Sequence, residues 1–127
     1  MEKTVNVGGQ AVRMRASALI PRLYRFTVGR DMIADMRTLQ KSYQKILELP
    51  ANASEEERAD AQFSVLDLTI FENVAWCMAK QADATIPNSP DAWLDSIEGI
   101  FSIYEVLPEI LDLWQASIQT TSTARKK

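Results

Sequence analysis

Two short runs near the start of the chain alternate apolar and polar residues, and Gly8 and Gly9 lie between them. A period of two places successive side chains on opposite faces of a strand, and a pair of glycines suits a tight turn. The pattern therefore predicts a β-hairpin over residues 4–15, with Val12 and Met14 on its inner face. Because a lone hairpin is marginal in water, we expect it to pack on a helix.

Helical periodicity begins after the hairpin. A first short helix is predicted between Ser17, which can cap it, and Gly29, which suits the left-handed position after its last turn, with Pro21 in the first turn. A second helix is predicted from Asp31 to Leu47, because its apolar residues recur at helical spacing and form one stripe. The stripe consists of Met32, Met36, Leu39, Tyr43 and Ile46.

The third predicted helix is the longest and the most apolar. Ser54 and Glu57 form a capping box at its start, and we expect it to run without interruption to about Ala82. Nearly every position from Val65 to Ala79 is apolar, and a helix that is apolar on all sides is a buried one. The pattern therefore predicts that this helix is the centre of the fold.

Two further helices complete the prediction. Ser89 and Pro90 are typical of a helix start, and this helix is expected to end near Glu98. A last amphipathic segment covers residues 100–118, in which Pro108 is expected to cause a kink or a restart.

These elements predict a mainly α fold, with four to six helices around a buried central helix and a small N-terminal hairpin. A length of 127 residues fits one domain. We expect that domain to span residues 1–119, and we expect residues 120–127 to form a flexible basic C-terminal tail.

The composition disfavours most enzymes. Histidine is absent, and with it the commonest metal ligand and general base. The single cysteine, Cys77, lies in an apolar stretch and is expected to be an inert core thiol. No phosphate-binding loop or nucleophile motif is present, so we expect no cofactor, no metal and no catalysis. An unrecognised carboxylate site remains the enzymatic alternative. Neither a membrane span nor a signal peptide is expected.

Charge is divided unevenly along the chain. Residues 1–45 hold nine basic and three acidic side chains, whereas residues 46–124 hold two basic and fourteen acidic ones. Either the two halves attract each other across the fold, or separate charged faces meet different partners. Nucleic-acid binding by the basic third is one alternative, although a pI near 5.0 argues against it. That alternative would use Arg13, Arg15, Arg22, Arg25, Arg30, Arg37, Lys41 and Lys45.

Several side chains are candidates for contact with a partner protein. Basic residues three or four apart lie on the same side of a helix. That side is either a face exposed only to solvent or a surface that binds an acidic partner. Trp93 and Trp114 are interpreted first as core residues, with exposed interface anchors as the alternative. The candidate partner-binding residues are Arg22, Arg25, Arg37, Lys41, Lys45, Trp93, Trp114 and Ile118.

Eight segments, which together cover nearly the whole chain, carry a resemblance to a known family. They are VNVGGQAVRMRAS (5–17), PRLYRF (21–26), GRDMI (29–33), LDL (66–68), IFENVAW (70–76), MAKQ (78–81), SPDxWL (89–94) and FSIYEVLPEI (101–110). They consist of packing and capping residues rather than a reactive motif. In this order, the segments resemble the tail assembly chaperones of siphophages and prophages of Gram-positive bacteria.

The resemblance implies a non-enzymatic role in building a long phage tail, in the cytoplasm of the bacterial host. Such chaperones keep the tape measure protein soluble, help to deliver tail tube subunits and are expected to self-associate. In many related phages a translational frameshift makes a longer fused form, and this chain would correspond to the shorter one. We expect Trp114, Ile118 and the methionines of the second helix to cover apolar stripes of the client.

Overall fold

The computed structural model describes the backbone of residues 1–126 and the side chains of residues 1–118. Its elements confirm the predicted mainly helical fold with an N-terminal β-hairpin. They are β1 (Glu2–Val7), β2 (Gln10–Arg15), α1 (Ile20–Thr27), α2 (Met32–Leu47), α3 (Glu55–Asp60), α4 (Val65–Ala82), α5 (Pro90–Ser96) and α6 (Ile103–Lys126). The tail predicted over residues 120–127 lies outside the residues whose side chains are described.

The hairpin forms as predicted. Its two strands are antiparallel, and Val5 is paired with Val12. Gly8 and Gly9 have φ angles of 58° and 86°, which are the left-handed values that a two-residue turn between twisted strands requires. Met14 is fully buried on the inner face. The sheet therefore has one face in the core.

The hairpin is held by the helices around it. β2 packs against α4 and β1 packs against α6, where Lys3 forms an ion pair with Glu109. The turn packs against the connection between α5 and α6, since a Cβ atom added to Gly99 would overlap the carbonyl oxygen of Gly8. A glycine at position 99 therefore allows two backbone segments to meet directly.

The first two helices form a pair joined by a short connection. α1 begins at Ile20, later than predicted, and the Ser17 Oγ atom accepts a hydrogen bond from the backbone N–H of Leu19 instead of capping the helix. Gly29 adopts a φ of 80° after α1 as expected, and α2 begins at Met32 because the preceding residue, Asp31, caps it with its side chain. The first three stripe residues of α2 are buried, and the last two are half-buried.

The long third helix of the prediction is wrong, because the structure has two helices there. Ser64 begins α4 with a second capping box: its Oγ atom accepts from the backbone N–H of Asp67 at 3.0 Å, and the Asp67 carboxylate accepts from the backbone N–H of Ser64 at 2.8 Å. This reciprocal pair starts a new helix and separates α4 from α3.

The central position of α4 is confirmed. Nine of its eighteen residues are buried, and it contacts β2, α1, α2, α5 and α6. Its first turn departs from the prediction, since Val65 is 80% exposed.

The last two helices differ from the prediction at their ends. α5 is capped by Ser89 as expected, but it ends at Ser96. α6 begins at Ile103 rather than near residue 100, continues through Pro108 without a restart, and ends at Lys126 rather than near residue 118.

Candidate protein-interaction surfaces

A partly buried hydrogen-bond network fixes α1 against the start of α2. The Tyr24 hydroxyl donates to Oδ2 of Asp35 at 2.7 Å, and the Arg30 guanidinium donates to both carboxylate oxygens of Asp35 at 2.8 Å. Burial by itself would raise the pKa of Asp35, but the hydrogen bonds from Arg30 and Tyr24 hold it below its usual value. Burial also raises the pKa of Tyr24 strongly, so the phenol remains a donor. The carboxylate is therefore ionised and bonded on both oxygens.

Among the side chains that the structure describes, the cations on the outer faces of these helices have no acidic partner. Arg22 and Arg25 are exposed on α1, and Arg37, Lys41 and Lys45 are exposed on α2. Within residues 1–118, none of them forms an ion pair. The structure thus places these five predicted partner-binding residues in two groups of solvent-facing cations, one on each of two adjacent helices.

Among the described side chains, Lys3 alone forms ion pairs that join the basic and the acidic parts of the chain. Lys3 bridges to Glu109 and Asp112 on α6, whereas Arg13 pairs with Glu2 inside the basic third of the chain. The sequence left two alternatives: attraction between the basic and acidic parts of the chain, or charged faces that meet separate partners. Lys3 fits the first alternative, whereas the cations of α1 and α2 fit the second. Those cations remain available to an external partner.

An apolar surface accompanies the cations of α1. Phe26 is 69% exposed, and the Arg22 guanidinium carbon lies 4.9 Å from the centroid of its ring. Leu19 is also exposed, and Leu23 between them is half-buried. We call these residues, together with Arg25, the α1 surface.

A cleft of about 200 Å³ opens beside this surface, between α1 and α4. Its walls are mainly apolar, and Leu23 belongs both to the cleft and to the α1 surface. The lining residues are Leu23, Thr27, Trp76, Cys77, Lys80 and Gln81.

A second apolar area lies at the far end of α2. Leu47 and Tyr104 are exposed there, and the Phe63 and Tyr104 rings are in contact with their centroids 5.4 Å apart. A depression of about 220 Å³ is lined in part by Ile46 and Tyr104. The adjacent helix α3 carries Glu55, Glu56 and Glu57 in its first turn, and its Arg58 lines the depression.

The aromatic and methionine candidates lie mostly in the core. Trp93 is 3% exposed and Trp114 is 7% exposed, which confirms the core interpretation and leaves neither as a surface anchor. Met32 and Met36 are fully buried, so the expectation that they contact a client is wrong for the folded chain. Ile118 is 43% exposed and remains accessible.

The sequence reasoning missed the apolar members of the α1 surface. The first helix has two apolar stripes: Ile20 and Tyr24 form one, and Leu19, Leu23 and Phe26 form the other. The second stripe was a readable signal. However, helical periodicity does not say which of two stripes faces the core.

Reactive groups are few in this structure. Cys77 is buried as predicted, and burial raises its pKa to about 12. Within residues 1–118 no cluster of three or more cysteine, aspartate or glutamate side chains is arranged to bind a metal ion. In that same part of the chain, no helix combines the length and the apolar character needed to cross a bilayer.

Comparison with known proteins found no matching family model, no matching curated protein and no matching solved structure.

Proposed function

We propose that this protein is a non-enzymatic tail assembly chaperone of a siphophage or prophage, which binds the tape measure protein and tail tube subunits during assembly. Two lines of evidence support the proposal. The first is the resemblance of the chain, segment by segment, to that family. The second is an exposed apolar surface suited to a client: Phe26 is 69% exposed beside an apolar cleft, and the neighbouring Arg22 and Arg25 form no ion pair within residues 1–118.

The physical role would be to cover apolar stripes on a long helical client before the tail tube encloses it. Burial of one large apolar side chain contributes about 1.5–3 kcal/mol. A few such contacts give binding that is useful but reversible, as a chaperone that must release its client requires. The cations of α1 and α2 would govern orientation and the rate of association more than affinity.

Coexpression with the tape measure protein encoded in the same gene cluster tests the proposal. We expect the client to move from the insoluble to the soluble fraction and to copurify with this chain. A vector without this chain and a vector with an unrelated small helical protein are the controls. A client that is equally insoluble in all three cultures would contradict the chaperone function.

Nucleic-acid binding remains a second candidate, because five exposed cations on α1 and α2 lack ion pairs within the described side chains. Its signature is binding to duplex DNA that weakens steeply as salt is raised. The net charge of −3 and the acidic α3 oppose it. Salt-dependent DNA binding that is lost in the double variant Arg37→Glu/Lys41→Glu would favour this candidate over the chaperone.

A further inference from the structure

We infer that the α1 surface and its adjoining cleft bind one kind of partner, an acidic amphipathic helix of another protein. The inference rests on the proposed function for its biological client, but it concerns a particular surface and a particular chemistry. Three features of the described residues lead to it: the shape of the cleft, the spacing of the apolar side chains, and the sign of the surrounding charge.

The cleft suits one large apolar side chain. Its volume is about 200 Å³, and its walls include the Trp76 indole and the Cys77 thiol. A water molecule occupies about 30 Å³ in the liquid, so the cleft has room for several waters, and its mainly apolar walls would offer them few hydrogen bonds. Displacing such waters with an apolar group is favourable. The cleft therefore favours an apolar anchor.

The apolar residues of α1 form a straight row along the helix. Leu19, Leu23 and Phe26 are separated by four and then three residues, a spacing that keeps them on one side over about 10 Å. Rows of this kind interlock with the rows of a second helix. The α1 surface also exposes no strand edge, so an extended peptide would find no backbone partner there. A helical partner fits both facts.

The charged side chains of the α1 surface and of the cleft lining are all positive. Arg22 and Arg25 lie on α1 without a carboxylate partner among the described side chains. Lys80 lies at the cleft, where its ammonium group donates to the carbonyl oxygens of Ala84 and Ile86 at 2.8 and 2.6 Å. Carboxylates beside the apolar anchors of the partner would meet these cations, whereas a basic helix would be repelled.

Synthetic peptides of about 20 residues, long enough for helix formation, test the inference directly. The probe carries leucine and phenylalanine at positions i, i+4 and i+7 of each repeat and glutamate on both flanks. One control peptide has the same composition in scrambled order, and another has lysine in place of glutamate. Binding of the labelled peptides is followed by fluorescence anisotropy. We expect both controls to bind at least tenfold more weakly than the probe.

Matched protein variants locate the binding site. Phe26→Ser should weaken probe binding about tenfold or more, since the lost burial of one aromatic side chain corresponds to at least that factor. Its control is Ile100→Ser, because Ile100 is 83% exposed and lies outside the α1 surface. The double variant Arg22→Glu/Arg25→Glu should weaken binding more than the same reversal at Lys41 and Lys45. Circular dichroism checks that each variant keeps its helix content.

Several results would overturn the inference. The first is equal affinity for the probe and the scrambled peptide, and the second is an equal effect of Phe26→Ser and Ile100→Ser. The third is a Phe26-dependent dimer in sedimentation with no peptide binding, which would make a second copy the occupant. The fourth is Phe26-dependent binding to vesicles of phosphatidylcholine and phosphatidylserine with no peptide binding, which would make an anionic membrane the partner.

The same variants separate this inference from the proposed function. If the wild type and Phe26→Ser solubilise the tape measure protein equally, the α1 surface is the wrong site and the chaperone function stands. If the probe binds as expected but the wild type leaves the tape measure protein insoluble, the function is wrong and the α1 surface inference stands.

Discussion

The substitution Asp35→Asn is the most informative test of how the α1–α2 pair is held together. Asparagine keeps the size of the side chain but replaces an ionised carboxylate with a neutral amide. Tyr24 and Arg30 donate three hydrogen bonds to that carboxylate, at 2.7, 2.8 and 2.8 Å. The amide offers a single acceptor oxygen, and its NH₂ group is placed against the Arg30 donors.

The expected loss follows from burial and charge. A hydrogen bond to a charged group contributes about 1.5–3 kcal/mol. Tyr24 is fully buried, but the amide oxygen can still accept from its hydroxyl. Arg30 is about half exposed, so water can replace part of what it loses. We therefore expect Asp35→Asn to lower the free energy of unfolding by about 2 kcal/mol. For a domain of this size, that corresponds to a decrease in Tm of about 6–8 °C.

Urea unfolding monitored by far-UV circular dichroism measures this loss at neutral pH. Asp31→Asn is the matched control, because Asp31 is an exposed N-cap on the same helix and asparagine caps about as well as aspartate. We expect this control to change stability by less than about 0.5 kcal/mol. Equal losses for the two variants would refute the role assigned to the network.

The pH dependence gives an independent check. The pKa of Asp35 is lower in the folded chain than in the unfolded one, so the unfolded chain takes up the proton first as the pH falls. The stabilisation is therefore complete above the unfolded pKa, near 3.9 on the model-peptide scale, and is lost as the pH falls through the lower folded value. The difference between the wild type and Asp35→Asn should shrink in that range. A difference that stays constant into strong acid would contradict the ionised carboxylate.

Three further outcomes are expected. In urea unfolding, Gly99→Ala should destabilise the fold more than Gly9→Ala. A Cβ atom at position 99 would overlap the hairpin backbone, whereas a Cβ atom at position 9 meets open space and is opposed only by the left-handed φ of that residue. Ser64→Ala should cost about 1 kcal/mol by the same measurement and Ser54→Ala less, because α4 is central and α3 has no buried residue. A thiol reagent should label Cys77 much more slowly in the native chain than in the unfolded chain, because a pKa of about 12 leaves almost no thiolate at neutral pH even though the side chain lines a cleft; equal labelling rates would contradict this.

Local patterns in the sequence were sufficient for most of the fold. Gly8 and Gly9 between alternating runs determined the hairpin, because few residues tolerate the turn that joins twisted strands. Asp31 and Ser89 located helix starts, since a side-chain oxygen satisfies backbone N–H groups that have no helical partner. The apolar composition of 65–79 determined which helix lies at the centre.

The sequence was less informative where two local solutions compete. Ser64 and Asp67 can lie inside a helix or start one, and the structure shows the start. The pattern S-x-x-D was visible, but a helix-compatible stretch before it suggested continuity. A break in a helix costs little free energy when a second capping box replaces the lost hydrogen bonds. Because the continuous and the broken helix are then close in free energy, tertiary contacts decide between them.

The candidate site divides in the same way. The sequence by itself determined that α1 and α2 would carry arginine and lysine on an outer side, since charged side chains remain in water unless they are paired. Only the tertiary structure decided that Trp93 lies in the core while Phe26 lies outside it, next to a cleft formed with α4. Hydrophobicity is a property of each residue, whereas burial depends on which neighbours the fold brings to it, and those neighbours are distant in the chain.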